Sequence, residues 1–218
     1  MVCAVVDACR EAGCRKIVVV VGYKQELVRE ALAGYEGVEF AVQDEQLGTG
    51  HAVLCASEAF KDVASGDVFV LCGDGPLIRP ATLKQVIDRH RSTSASATLA
   101  TSVIADPSGY GRIVRDSAGR FTGIVEQKNA TPEQLKIREV NPSYYCFQVR
   151  PLFSALQRVK RNETTGEYYV TDVPTLLMQD GQRVEVMDAV PPEDVLSINT
   201  LDQLAEVDRL YRSRGGAR

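Results

Sequence analysis

Asp74 is a carboxylate that stands where a metal ion or a phosphate-bearing ligand could be held. It follows the apolar stretch 68–72, which predicts a buried strand, and α/β sheets bind ligands beyond the carboxyl ends of their strands. Gly73 and Gly75 would let the backbone approach a ligand closely. A carboxylate oxygen is the kind of ligand that a hard cation such as Mg²⁺ prefers. From position alone, a turn or helix-cap aspartate is the alternative interpretation.

The segment QDEQLGTGH at 43–51 offers a different chemistry, because its glycines stand at the predicted start of a helix that follows a strand. Backbone N–H groups at such a place can donate to an anion or a base. A lone Gly48-Thr49-Gly50 occurs in many loops, so the segment by itself specifies no ligand. His51 is interpreted as a packing or capping residue of the helix.

Polar residues also mark strand ends in the second half of the chain. Gly111 lies at the start of a predicted strand, Glu126 ends the next one, and Asn141 begins a third. Paired polar groups at strand ends suit the recognition of sugar hydroxyls. Exposed hairpin ends are the alternative interpretation of the same pattern.

Two more polar groups precede predicted helices. Tyr169 lies in GEYYVTD, where Thr171 or Asp172 is the expected N-cap of the following helix. Asn199 lies just before the last helix, and its position alone favours an N-cap there as well. The chain has two histidines, so histidine-rich metal chemistry is not indicated. Neither a Ser/His/Asp arrangement nor a Walker phosphate loop stands out.

The composition excludes several classes of protein. The chain has 218 residues, 44% of them hydrophobic and 25% charged, as in ordinary globular proteins. A net charge of −4 argues against binding to nucleic acid, and no apolar run approaches the ~18 residues of a membrane span. The start of the chain lacks the features of a signal peptide. The six cysteines contain no C-x-x-C pair and are interpreted as buried thiols of a cytoplasmic protein.

The elements that must position these residues alternate between helix and strand. Helices are predicted at 2–9, 25–32, 50–57, 80–91, 152–160, 172–178 and 201–212. Strands are predicted at 16–21, 38–42, 67–72, 97–104, 112–115, 121–126, 144–149 and 184–187. The alternation in the first half predicts a doubly wound α/β sheet, and the whole chain, residues 1–218, is predicted to form one domain.

One feature of this order is unusual. A helix before a parallel strand is normally the crossover from an earlier strand, yet here the first predicted element is that helix. We therefore expect unpaired strand edges and an uncovered apolar stripe beside the strand at 16–21.

Taken in order, the motifs resemble those of one family. QDEQLGTGHAV, GDGPLIRP, DPSGYGRIV, IVEQKNATPEQ, REVN, GEYYVTDV and INTLDQLAEV resemble the uridylyltransferase domain of bacterial bifunctional UDP-N-acetylglucosamine pyrophosphorylase/glucosamine-1-phosphate N-acetyltransferase. The resemblance covers nearly the whole chain. It implies a Rossmann-like nucleotide-diphospho-sugar transferase fold, with a mixed, mostly parallel sheet and helices on both faces.

The resemblance also assigns roles to individual residues. It implies that Gln43 reads uracil, with Gly48 and Thr49 nearby, and that Asp74 and Asn199 hold Mg²⁺. The residues that it places around N-acetylglucosamine are Gly111, Glu126, Asn141, Tyr169 and Thr171. The implied reaction joins UTP and N-acetylglucosamine-1-phosphate into UDP-N-acetylglucosamine and releases pyrophosphate.

Several departures from the family pattern limit these expectations. The first strand and phosphate loop G-x-G-T-R-M, with its following lysine, are missing from the sequence, so we expect the chain as printed to be nearly inactive. Cys72 and Gly75 replace a tyrosine and an aliphatic residue. No acetyltransferase domain is present, so no acetyl transfer is predicted and the oligomeric state stays open. A non-catalytic nucleotide or sugar binder, and a uridylyl- or thymidylyltransferase for another sugar-1-phosphate such as glucose-1-phosphate, are the alternatives.

Overall fold

The computed structural model describes residues 1–196, 198 and 200–215. Its α-helices are α1 (Val2–Glu11), α2 (Gln25–Ala31), α3 (Thr49–Cys55), α4 (Pro80–Ser92), α5 (Val149–Leu156), α6 (Val173–Gln179) and α7 (Leu201–Ser213). Its strands are β1 (Ile17–Val21), β2 (Val38–Val42), β3 (Asp67–Val70), β4 (Ala97–Val103), β5 (Gly111–Arg115), β6 (Phe121–Val125), β7 (Glu139–Gln148) and β8 (Val184–Asp188). Short 3-10 turns lie between several of them.

The strands form two sheets. β1 and β2 make a parallel pair, and a six-stranded sheet has the order β6-β5-β7-β4-β8, with β3 also pairing with β7. The ten-residue β7 organises the larger sheet, because it pairs antiparallel with β3, β4 and β5. The α/β class and the mixed sheet predicted above are confirmed. The expectation of mostly parallel pairing is wrong for the described strands, since only β1–β2 and β4–β8 run parallel.

Helices cover both faces of the larger sheet, as predicted. Along β7, Tyr144 and Cys146 enter the apolar cluster that contains residues of α1 and α4. Tyr145 and Phe147 enter the opposite cluster, which contains residues of α5 and α6. Because successive side chains of a strand point to opposite faces, this alternation places one helical layer on each side.

β7 differs most from its predicted bounds. It begins at Glu139, five residues before the predicted start, so Asn141 lies inside the strand and does not begin it. The register against β4 shifts between Ala100 and Ser102, and Ser143 has a φ of 62°. Pro142 and this irregularity interrupt the strand pattern in the sequence, because proline within a sheet is confined to edges and bulges.

A gap separates the two sheets. In the described part of the chain β1 pairs only with β2, and β3 pairs only with β7, so each has one open edge. An apolar cavity of about 950 Å³ lies there, lined by residues of α1, β1 and β3, among them Val5, Val19 and Phe69. We call this cavity the apolar slot. Its open edges are those expected from the order of the first elements, and it leaves β1 half-buried although its sequence is apolar throughout.

Candidate functional site

Gln43 lies directly after β2, where its backbone N–H continues the ladder by donating to the Val21 carbonyl (2.8 Å). Its side chain is buried, and the amide Nε2 lies 3.1 Å from the Gly48 carbonyl and 3.0 Å from Nδ1 of His51. The amide nitrogen is thereby held by the chain, while Oε1 accepts no hydrogen bond from the described residues. The side chain therefore presents a fixed acceptor.

Residues 47–50, which include the Gly-Thr-Gly segment, are joined to residues 168–170 by three hydrogen bonds. The Gly50 N–H donates to the Tyr168 carbonyl (2.7 Å), and the Tyr168 N–H donates to the Leu47 carbonyl (2.8 Å). The Thr49 hydroxyl accepts from the Val170 N–H (3.1 Å). We call these contacts the junction. They bring together two motifs that lie about 120 residues apart in the sequence.

Gly48 shows why the junction needs glycine. Its φ is 98°, in the left-handed region, and an added Cβ would lie 2.6 Å from the Tyr168 carbonyl oxygen. A side chain at this position would therefore be strained and would also strike backbone. Gly48 is the N-cap residue of α3.

Gly111, Glu126 and Asn141 lie together, Gly111 at the start of β5, Glu126 directly after β6 and Asn141 inside β7 near its start. Gly111 pairs with Asn141 in the sheet register, and an added Cβ on Gly111 would lie 3.6 Å from Oε2 of Glu126. The Asn141 amide is buried, donates to the Tyr145 hydroxyl (2.5 Å) and accepts from the Ser143 N–H. The structure thus gathers three of the residues assigned to the sugar.

Thr171 completes this group. It is buried, and its hydroxyl donates to Oε1 of Glu126 (2.9 Å). Burial raises the pKa of Glu126, and the hydrogen bond from Thr171 opposes that rise. Of the two residues predicted as the N-cap, Thr171 contacts the Glu126 carboxylate. Asp172 is the N-cap residue of α6, but its side chain makes no capping hydrogen bond.

Tyr169 lies between the junction and Thr171. Its side chain is buried, and its hydroxyl is 2.6 Å from the hydroxyl of Thr165. Burial raises the pKa of Tyr169, so the phenol stays neutral at physiological pH. Tyr169 therefore contributes a neutral aromatic ring, and its hydroxyl is already hydrogen-bonded to Thr165.

Asp74 lies four residues after Val70, the last residue of β3, in an exposed turn. Its carboxylate forms no hydrogen bond or ion pair with the described residues, so its oxygens are open to a cation. Among those residues no group of three His, Cys, Asp or Glu side chains is arranged as a metal site. One carboxylate supplemented by substrate phosphates is nevertheless a usual way of holding Mg²⁺, so the donor chemistry fits. The second predicted ligand, Asn199, lies outside the described residues, and the observed cap of α7 is Thr200.

Sequence reasoning missed two groups beside the site. His51 is not the cap of α3, because that position belongs to Gly48. Instead, the His51 side chain contacts the Gln43 amide. Arg112 and Gln127 link the loop before β5 to the end of β6. Residue type and spacing gave no sign of either contact, because both join residues whose proximity depends on the tertiary fold.

The chain is similar to known proteins in sequence and in fold. Within the described residues no helix is both long and apolar enough to cross a membrane. The family model described as nucleotidyl transferase matches residues 1–200. The chain is also similar to a solved structure of UDP-glucose pyrophosphorylase complexed with UDP-glucose, with a TM-score of 0.70 over 97% of this chain and 86% of that one. At 17% identity this similarity bears on the fold alone.

Curated relatives are more similar in sequence. The bifunctional protein GlmU of Geobacter metallireducens is 46% identical over 214 residues, which are 98% of this chain and 45% of that protein. The bifunctional protein GlmU of Desulfotalea psychrophila is 44% identical over 91% of this chain and 58% of that protein. The chain thus spans about half the length of these relatives. The family match over most of the chain, together with the α/β fold, shows that this chain belongs to the nucleotidyl transferase family.

Proposed function

We propose that the chain carries out uridylyl transfer from UTP to N-acetylglucosamine-1-phosphate, giving UDP-N-acetylglucosamine and pyrophosphate. The observation that carries the proposal is the junction, which connects the base-side residues Gln43 and Gly48 to the sugar-side residue Thr171 through residues 168–170. The similarity to GlmU proteins supports the same substrates. We also propose that the reaction takes place in the cytoplasm, where nucleotide and sugar phosphate are available.

The base side has the donors and acceptors that uracil requires. Oε1 of Gln43 is free to accept from the N3–H of uracil, because its amide nitrogen is already held by the Gly48 carbonyl and His51. A cytosine ring has no N–H at that position, so the fixed acceptor favours uracil. Thr49 holds the junction through its oxygen and retains its own O–H for donation.

On the sugar side, Glu126 is the acceptor for sugar hydroxyls. Its partner Thr171 occupies Oε1 and leaves Oε2, near Gly111, for a sugar hydroxyl. The remaining N–H of the Asn141 amide is available to the acetamido or hydroxyl oxygens. Tyr169 forms part of the wall.

In the proposed reaction a phosphate oxygen of N-acetylglucosamine-1-phosphate attacks the α-phosphorus of UTP. The bond between the α-phosphorus and its bridging oxygen breaks, and pyrophosphate leaves. The attacking oxygen is already anionic, so the protein need not supply a base, and its contribution is to hold the two substrates in line. Mg²⁺ held by Asp74 and Asn199 would neutralise charge on the phosphates when bound.

The proposal is tested by product analysis. UTP and N-acetylglucosamine-1-phosphate are incubated with the protein and Mg²⁺, and UDP-N-acetylglucosamine is detected by mass spectrometry. Parallel reactions replace the sugar phosphate with glucose-1-phosphate, or UTP with dTTP. Formation of UDP-N-acetylglucosamine faster than either alternative product supports the proposal whatever the absolute rate, since we expect the chain as printed to turn over slowly. A higher rate with glucose-1-phosphate or dTTP overturns the substrate assignment, and binding of UTP without any turnover favours the non-catalytic alternative.

A further inference from the structure

Arg112 is an unusual residue for a strand of this sheet. Its side chain is 2% exposed, and it is one of the largest fully buried side chains of the protein. No carboxylate of the described residues lies within ion-pair distance of it. Asp106 is the carboxylate that influences it electrostatically, and burial lowers the pKa of the Arg112 guanidinium. A buried charge without a paired carboxylate is costly, because it loses its hydration without full compensation.

The contacts of Arg112 show what this burial achieves. One terminal nitrogen donates to the Tyr110 carbonyl, and the other donates to Oε1 of Gln127 (3.2 Å). The same Oε1 accepts from the Gly109 N–H at 2.5 Å. The guanidinium and the Gln127 amide thus tie the loop before β5 to the turn after β6. We call these three hydrogen bonds the bracket.

The bracket lies between two positions assigned to the sugar. Arg112 follows Gly111 directly, and Gln127 follows Glu126 directly. In the sheet Arg112 pairs with Val125 on one side and Val140 on the other, where β5 passes between β6 and β7. The bracket therefore adds a side-chain connection between the two loops just beyond the paired residues Arg112 and Val125, and it reinforces the separation of Gly111 and Glu126 that strand pairing sets.

We infer that Arg112, acting through Gln127, is a positioning residue for the sugar subsite. This inference rests on the proposed function. Arg112 itself does not touch the sugar. It holds the Gly109–Gly111 backbone at the distance from Glu126 that a sugar ring requires. The planar guanidinium of arginine can donate from separate nitrogens to two acceptors at once. The N–H donors of a lysine side chain all lie on one nitrogen.

The test uses binding, with UDP-N-acetylglucosamine and UTP as separate probes in calorimetric titrations. Gln127→Ala is the principal variant, because Gln127 is exposed and its truncation leaves the core intact. Arg112→Lys keeps the charge but not the separate donor nitrogens. Arg115→Met is the matched control, since Arg115 lies in the same strand but pairs with Glu139 at 2.7 Å, away from the bracket.

We expect Gln127→Ala and Arg112→Lys to weaken binding of UDP-N-acetylglucosamine at least about tenfold, the effect of losing one charge-assisted hydrogen bond. Binding of UTP should change by less than about twofold. Amide exchange at residues 108–111 should also become faster in Gln127→Ala. A purely structural role would lower the melting temperature and weaken both ligands alike.

The outcomes separate the inference from the proposed function. If the unmodified protein binds neither probe, the proposed function fails and the inference fails with it. If the unmodified protein binds both probes and both bracket variants bind UDP-N-acetylglucosamine as it does, the inference is wrong while the proposed function stands. An equal loss in Arg115→Met would likewise overturn the inference, because the effect would then belong to the strand in general.

Discussion

At the scale of single residues, the ionised carboxylate of Glu126 lowers the stability of the fold, although the same group is proposed to bind the sugar. Burial raises its pKa, so the ionised carboxylate is disfavoured in the folded protein compared with the unfolded chain. The cost is absent below the ordinary glutamate pKa of about 4.3, where both states are protonated. It grows as the pH rises through the raised pKa of the folded state.

Glu126→Gln should therefore stabilise the free protein at neutral pH while weakening sugar binding. The amide keeps an acceptor for Thr171 and removes the buried charge. We expect the melting temperature at pH 7 to rise, because the side chain no longer has to ionise in an environment that raises its pKa. The gain should vanish at pH 4. Thermal melts at both pH values, with titration of UDP-N-acetylglucosamine, check this; a lower melting temperature at pH 7 would contradict it.

Asp74 presents the opposite case, a carboxylate that contributes nothing to the fold. It is exposed and unpartnered among the described residues, so Asp74→Ala should leave the melting temperature within about 1 °C of the original. The variant should lose the part of UTP affinity that depends on Mg²⁺. Titrations with Mg²⁺ and with a chelator measure this part. Asp62→Ala, also at an exposed carboxylate, is the control, and survival of the metal dependence in Asp74→Ala would refute the assignment.

The residue scale also shows what a sequence can reveal about this site. The sequence pattern predicts Gly111, Glu126 and Asn141 at strand ends, and the structure brings the three together, although Asn141 lies inside β7. The contact of Gln43 with His51 and the bracket of Arg112 were not foreseen. A motif indicates which residues bear the chemistry, whereas the partners that orient them depend on how distant segments pack.

At the scale of elements, the junction makes Gly48 indispensable. Gly48→Ala should destabilise the protein by about 1–3 kcal/mol, because a side chain there is strained and meets the Tyr168 carbonyl. Affinities for UTP and for UDP-N-acetylglucosamine should fall together, since the junction supports both sides of the site. Denaturant unfolding and calorimetric titration measure the two effects.

Gly34→Ala is the matched control for this prediction. An added Cβ at Gly34 would meet nothing within 4 Å, so the change should alter stability by less than about 0.5 kcal/mol. If Gly48→Ala were as stable as Gly34→Ala, the junction would not hold the two segments in the way described.

Regular elements were predictable where the sequence pattern was uninterrupted. α1, α4 and β2 lie within a residue or two of their predicted bounds, because apolar periodicity and end signals agree there. β7 was predicted too short, since Pro142 and the bulge at Ser143 break the strand pattern. Strand direction was harder still. The antiparallel pairing of β3 with β7 joins segments about 75 residues apart, and local pattern says nothing about it.

At the scale of the whole molecule, stability is distributed unevenly across the two sheets. β4 is paired on both sides and is buried at six of its seven residues, whereas β1 has one partner and is half-buried. Amide exchange in β1 should therefore be faster than in β4 by orders of magnitude, reflecting local opening of the smaller sheet. Exchange followed by peptide mass spectrometry checks this. Equal protection of the two strands would show that the sheets unfold as one unit.

The apolar slot also affects how the protein responds to temperature. The accessible surface is 11897 Å², whereas a compact chain of 23.8 kDa would expose about 9,900 Å². Because β1 is apolar throughout but only half-buried, part of the apolar surface that folding usually conceals is already hydrated in the native state. Unfolding adds correspondingly less, so calorimetry should give a heat-capacity increment below the usual ~12–15 cal/mol/K per residue. A smaller increment flattens the stability curve, and the protein would lose stability on cooling more gradually than a fully packed chain of equal length.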